Sequence, residues 1–404
     1  MSHPGTLVLI MAVAVLAPLL AYGLGRWIRV PLVIFEIVLG ILIGPDLLGW
    51  VQEERVIDTL ADLGLCMLIF LAGYEIEFAA VRGDTLRRSM WAWVVSLALG
   101  LGLAFALSGA DADKSFVIGT ALTSTALGTI LPILRDSGDL HGRFGTVVMA
   151  FGAVGEFGPV IAMALLLGGS GPGESAVLLV GFAAVTAAAV FWALRPRPPW
   201  FSHVIAATLH SSGQFAVRFV MLLLAAMLAL AYAFGLDSLL GAFAAGMLTR
   251  LFLQGAAPDS GEEILGRVEA MGFGFLVPLF FVVTGVEFDL ASLLDGGRAL
   301  ALLPVFLLLF LVVRGLPVYL LAPRDQGRSE RAALSLYSST CLPLVVAITT
   351  IGLEERVVEA GEAAALVGAA MISVLAFPLL ALRLRTARGQ ARVPEGASPG
   401  YESW

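Results

Sequence analysis

The sequence predicts an all-α polytopic membrane protein of about thirteen transmembrane helices, built as two inverted-topology six-helix repeats with two crossing broken helices. Three observations carry that prediction. Hydrophobic residues make up 59% of the chain and charged residues 14%, and the mean hydropathy is +0.94, outside the range of soluble domains. Apolar runs of about 20 residues, the length that crosses a hydrocarbon core, recur until only short polar connections remain. Basic residues alternate between loops as a membrane topology requires.

In chain order the runs cover 6–24, 30–48, 56–74, 90–107, 116–134, 144–167, 176–194, 215–234, 236–253, 270–286, 300–321, 332–353 and 363–382. Their length without alternation favours helices over a β-barrel. The first run has no basic stretch ahead of it and no A-x-A site after it, so it is expected to stay in place as a helix. With the N-terminus outside and the C-terminus cytoplasmic, nineteen of the 24 Lys and Arg residues fall on inner loops. Arg314 alone falls well within a span. Residues 1–385 then form the transmembrane domain and 386–404 a short cytoplasmic tail, in a bacterial-type inner membrane.

The formal net charge of −7 sums two separated surfaces and points to no nucleic-acid partner. Cys66 and Cys341 lie in different runs without ligand spacing and read as apolar filling. His3, His141, His203 and His210 have no metal-site spacing. The chain offers no phosphate loop, nucleophile elbow or zinc motif, so no cofactor and no soluble-enzyme chemistry are expected.

The third run ends "MLIFLAGYEIEF" (67–78) and the tenth ends "PLFFVVTGVEFDL" (278–290), so Gly73, Glu75 and Glu77 answer to Gly285, Glu287 and Asp289. The two runs are an odd number of helices apart, so the motif falls at opposite faces. "VLGILIGP" (38–45) echoes "LLGAFAAGM" (239–247), and "TSTALGTILP" (123–132) echoes "SSTCLPLVV" (338–346), at the same offset. Such inversion is the architecture of alternating-access secondary transporters.

The fifth and twelfth runs suit continuous helix poorly. Thr123, Ser124, Thr125, Gly128, Thr129 and Pro132 crowd one, and Ser338, Ser339, Thr340 and Pro343 the other. One reading is a pair of kinked helices packed through small residues. The sharper one is a crossing pair of broken helices whose carbonyls and half-helix ends face an ion.

Glu156 sits in "GAVGEFGPVIAMALLL" (152–167) with no other charge between 144 and 167. It lies about 18 Å from the cytoplasmic end of its run, and Arg314 about 21 Å from the outer end of its own, at 1.5 Å per residue. The two are expected at similar depth and able to meet. One reading is a buried pair that fixes helix packing. The other is an exchange site, since a carboxylate holds either a proton or a hard monovalent cation, with the hydroxyls of Thr123, Ser124, Thr125, Ser339 and Thr340 completing the shell. Glu36, Glu75, Glu77, Glu287 and Asp289 are weaker candidates nearer span ends, and Asp46 after Gly44-Pro45 reads as a helix stop.

At these residues the chain resembles the monovalent cation:proton antiporters, especially their second branch of sodium/proton exchangers and glutathione-gated potassium efflux systems. The likeness runs through "PLVIFEIVLGILIGPDLLG" (31–49), "LIFLAGYEIEF" (68–78), Thr-Ser-Thr-Ala at 123–126 and "LGAFAAGMLTR" (240–250). It implies the sodium/proton antiporter fold and a homodimer, with a dimer scaffold at 1–78 and 215–290, an ion-translocating core at 86–168 and 300–385, and a linker helix at 176–194. It implies elevator-type exchange of Na+, K+ or Li+ for H+, with Glu156 as the ion-binding acid and Arg314 as its basic partner. The family's acidic pair is represented here by Gly155-Glu156, which with one carboxylate and one Arg makes electroneutral exchange the simpler stoichiometry. The potassium efflux members' nucleotide-binding tail is not expected. Two rival classes use the same core: a cation-coupled symporter of a small organic solute, and a membrane sensor without turnover.

Overall fold

The computed structural model describes residues 3–24, 31–51, 55–75, 83–140, 142–166, 172–193, 204–205, 207–208, 214–236, 238–256, 260–295 and 297–390. Arg26, Arg29, Glu77, His203, His210 and the tail beyond Gln390 lie outside them. Among the described residues every regular element is helical. Nine helices among the described residues are long and apolar enough to cross a membrane, and the chain is a multi-pass membrane protein.

The first four helices are α1 (His3–Leu24), α2 (Leu32–Ile43), α3 (Arg55–Glu75) and α4 (Asp84–Leu107). Helix α2 is shorter than its apolar run because Gly44, ahead of Pro45, takes an extended backbone with ψ 175°, as a pre-proline residue must. Asp46 in the following turn then accepts a hydrogen bond from the Ala291 N–H at 3.0 Å. Helix α4 begins earlier than its apolar run, because Asp84 holds Arg87 at 2.6 Å and Arg88 at 2.5 Å and places an acid in the first turn.

The fifth run is two helices, α5 (Ala112–Ala121) and α6 (Leu127–Asp136), and α7 (Arg143–Leu166) and α8 (Pro172–Ala193) follow. Next come α9 (Phe215–Ala233) and α10 (Ser238–Ala256), then α11 (Gly261–Val286). A short α12 (Leu290–Asp295) leads to α13 (Arg298–Leu321). The twelfth run is again two helices, α14 (Arg328–Ser338) and α15 (Pro343–Glu354), before the long α16 (Ala360–Gln390).

Helices α11 and α13 each carry a wide π turn, at Gly272–Leu276 and Phe310–Gly315. Pro278 and Pro317 stand just beyond them. A proline cannot donate to the carbonyl four residues back, and the ladder widens to absorb the loss.

Two seams bring backbones into contact. Along α2 and α11 a Cβ on Gly40 would fall on the Val282 carbonyl and one on Gly285 on the Ile37 carbonyl. Along α3 and α10 the same holds for Gly73 against Phe243 and Gly246 against Phe70. Small residues permit such approach where lipid gives apolar side chains no reason to associate.

A second group gathers around the helix breaks, with Phe306, Phe310 and Val313 of α13 packed among Leu342, Val345, Leu366 and Val374. Charge fastens both of its ends. At one, Arg385 of α16 bonds Asp139 and reaches Glu330 at 3.3 Å, its guanidinium 4.1 Å from the Phe144 ring centroid. At the other, Lys114 of α5 pairs with buried Glu362 at 2.6 Å.

Candidate functional site

The site forms where the two broken runs touch. Between α5 and α6 the chain leaves helix over 122–126, and between α14 and α15 over 339–342. Backbone groups freed by a break need partners in an apolar interior, and the opposite break, α7 and α16 supply them. The Thr125 N–H donates to the Gly155 carbonyl at 3.0 Å and the Ala126 N–H to the Thr340 carbonyl at 2.8 Å. The Thr125 hydroxyl donates to the Ser338 carbonyl at 2.6 Å. On the far side the Cys341 N–H donates to Ser373 Oγ at 3.2 Å.

Glu156 is 5% exposed. The backbone N–H of Leu127 points to its carboxyl. Leu127 opens α6, so the carboxylate meets an orphan donor and the positive end of a helix dipole. It lines a cavity of about 740 Å³ together with Glu36 of α2, Leu68 and Ala72 of α3, Thr129 of α6, Phe281 of α11 and Pro343 at the head of α15. Pro31 and Leu32 at the head of α2, Ile133 in the last turn of α6 and Leu382 of α16 also line it. Past Glu156 in the other direction α7 is tightly packed. Phe157 stacks on Phe243 with centroids 4.4 Å apart, and beyond it Val160, Met163, Leu239, Leu344 and Ile348 leave a void of only about 10 Å³ between them.

Arg314 does not join Glu156, which corrects the expectation that the two meet. No ion pair links them among the described residues. Arg314 is fully buried. Its Nε donates to the Thr125 hydroxyl oxygen at 3.1 Å and its Nη2 to the Phe151 carbonyl at 2.6 Å, while Nη1 has no hydrogen-bond partner. The guanidinium lies beside Gly155, where a Cβ would collide with its Nη2 and with Thr125 Oγ1. Neighbouring positions of a helix point about 100° apart, so Arg314 grips one flank of α7 while Glu156 faces the cavity.

The hydroxyls named from sequence are also turned inward to protein. Thr123 donates to the Thr120 carbonyl at 2.8 Å and Ser124 to that of Ala121 at 2.7 Å. Ser339 donates to the Ser335 carbonyl at 2.9 Å and Thr340 to that of Leu336 at 3.0 Å. These back-bonds at helix ends keep all of them, with Thr125, off the cavity wall, whose lining includes none of the five. Two other polar residues do line it, Thr129, which the sequence marked only as part of the break, and Glu36, which it gave only as a weaker candidate. Thr129 lies one turn beyond Thr125, and the amphipathic step from the break could have flagged it; Glu36 was visible only as an acid within an apolar run.

The sequence family described as "Sodium/hydrogen exchanger, transmembrane" matches residues 11–382. The YjbQ protein of Bacillus subtilis is 27% identical over 400 residues, 94% of this chain and 63% of that protein. Cation/H(+) antiporter 18 of Arabidopsis thaliana is 30% identical over 322 residues, 74% of this chain and 39% of that protein. The chain therefore spans less than two thirds of either relative. The Na(+)/H(+) antiporter of Enterococcus hirae is 21% identical, covering 92% of this chain and 96% of its own. The solved structure of the sodium proton antiporter MjNhaP1 from Methanocaldococcus jannaschii matches with a TM-score of 0.65 at 15% identity, over 95% of this chain and 99% of that one, which establishes a shared fold. By the extent of the family match the chain belongs to the transmembrane sodium/hydrogen exchangers, whose members are transporters and not enzymes.

Proposed function

We propose that the protein exchanges a monovalent cation, Na+ or K+, for protons by elevator-type alternating access, one for one and without net charge movement. The observation that carries this reading is Glu156, a buried carboxylate lining a cavity, beside the opening turn of a half-helix. A carboxylate that can hold a proton or a cation, but not both, couples the two flows. The relatives named as Na(+)/H(+) antiporters support the cation class.

About thirteen spans in two inverted repeats account best for the helix order. The paired seams favour the inversion, because α2 meeting α11 and α3 meeting α10 are one contact read twice in a two-fold relation. On this reading residues 1–78 and 215–290 form the scaffold of a homodimer, and 86–168 with 300–385 the moving core. With the N-terminus outside, the cavity opens to the cytoplasm and the packed end beyond Phe157 closes the outer side. Arg314 then serves as a fixed internal charge that balances the core, acting through Thr125 and α7 rather than by direct pairing. Thr123, Ser124, Ser339 and Thr340 shape the breaks and become ion ligands only if their back-bonds open in another state.

The test is exchange in proteoliposomes. With a pH dye inside and a proton gradient imposed, Na+, K+ or Li+ added outside should dissipate the gradient in wild type and fail to do so in Glu156→Gln. A wild-type protein silent to all three cations across pH would overturn the reading. The cavity volume also suits a small organic solute, and a solute-dependent rise in thermal stability together with that silence would favour a symporter.

A further inference from the structure

We propose that Glu36 is a second cation-binding carboxylate of this cavity, at which the incoming monovalent cation docks before it reaches Glu156. This rests on the exchange reading of the same cavity and adds a residue to it.

Glu36 is 3% exposed and lines the cavity that Glu156 also lines. Among the described residues no hydrogen-bond donor and no basic side chain pairs with it. The wall around it is apolar, formed by Leu32, Val33, Leu68 and Phe281. Burying an ionised carboxylate in such a setting costs several kcal/mol unless something neutralises it. With no partner for it among the described residues, we assign the neutralising group to the cavity itself. A dehydrating monovalent cation that needs oxygen ligands is one such group, and a proton is the other, so Glu36 has the same chemical choice as Glu156.

The two carboxylates differ in depth. Helix α2 opens at Leu32, so Glu36 lies about 6 Å along it, whereas Glu156 lies about 20 Å along α7 from Arg143 at 1.5 Å per residue. Both helices start at the same end of the bundle, the one marked by Pro31 at the head of α2 and Ile133 in the last turn of α6, because α7 follows α6 after a short turn. A cation from that side therefore passes Glu36 first. Their like charges also work together: a cation held at Glu36 lowers the repulsion met by the ionised Glu156, and its departure inward is drawn by the deeper charge.

A docking residue changes capture more than turnover, so the assay separates KM from maximal rate. In proteoliposomes Glu36→Gln should raise the KM for the cation about tenfold, the effect of about 1.4 kcal/mol of lost capture, while maximal rate stays within about twofold and Glu36→Asp restores most of the affinity. Binding is read separately in detergent with radiolabelled Na+. Glu156→Gln should retain weak binding, and Glu36→Gln/Glu156→Gln should lose it, with melting temperatures compared throughout. An unchanged KM in Glu36→Gln, or equal binding by the single and double variants, overturns this proposal while leaving exchange at Glu156 intact. A wild-type protein that moves no cation overturns the exchange reading instead, and the binding comparison then still decides whether Glu36 holds an ion.

Discussion

The guanidinium of Arg314 occupies the space that a side chain at Gly155 would need. Both its Nη2 and Thr125 Oγ1 lie where that Cβ would be, so the glycine is what admits a fully buried arginine to the flank of α7. Gly155→Ala should therefore strain this packing by about 1–3 kcal/mol, the usual cost of overfilling a dense interior. A lowered melting temperature in detergent, with reduced exchange, is the expected result; an unshifted melt would show that the arginine can move aside freely.

Thr125 ties three elements at one atom, donating to Ser338 and accepting from Arg314. Thr125→Val keeps the shape and removes the hydroxyl. Each buried group left without its partner costs about 1–3 kcal/mol. Combined with Arg314→Met the two losses should fall short of their sum, because the variants remove the same hydrogen bond. Strict additivity in thermal unfolding would mean that the bond carries no weight.

At Glu156 length and charge can be separated. Glu156→Asp keeps a carboxylate but withdraws it by one methylene from Leu127 and the cavity, so exchange should persist at reduced rate with a changed ranking of Na+, K+ and Li+. Glu156→Gln keeps length and removes charge, and exchange should fall to the level of protein-free liposomes. Equal activity in both variants would remove Glu156 from the mechanism.

Lys114 and Glu362 lie 2.6 Å apart, and Arg298 stands 3.8 Å from the same carboxylate. Removing one member of a buried pair costs about 3–5 kcal/mol, whereas replacing both with apolar residues is often neutral. Lys114→Met should thus melt well below wild type, and Lys114→Met/Glu362→Leu should recover most of the loss. A double variant no better than the single one would assign the stability to Arg298 or to packing.

Much of this architecture was legible in the sequence because its causes are local. The crowding of Thr123, Ser124, Thr125 and Gly128, and the Pro343 that opens α15, mark the breaks where they occur. Glu156 stood out for the same reason, as a lone charge in an apolar run. The pairing of Glu156 with Arg314 failed because residue counting along a helix gives height and not azimuth: similar depth says nothing about which flank a side chain takes. The hydroxyls misled differently. Their type suits a cation, but at helix ends the nearest acceptor is the preceding turn's own carbonyl. Glu36 gained its interest only when helices distant in the chain enclosed it.

The glycine contact between α2 and α11 has a consequence for how the protein comes apart. Where Gly40 meets Gly285, backbone lies against backbone, and cohesion comes from dispersion between atoms at contact distance. No side chain there can change rotamer, and no lipid is needed to fill a gap. During delipidation, interfaces built from long apolar side chains can loosen one rotamer at a time, whereas this one separates only as a whole. In an amide exchange time course the protons of these two helices should be among the last to leave, giving an internal clock against which the loosening of the remaining bundle can be timed.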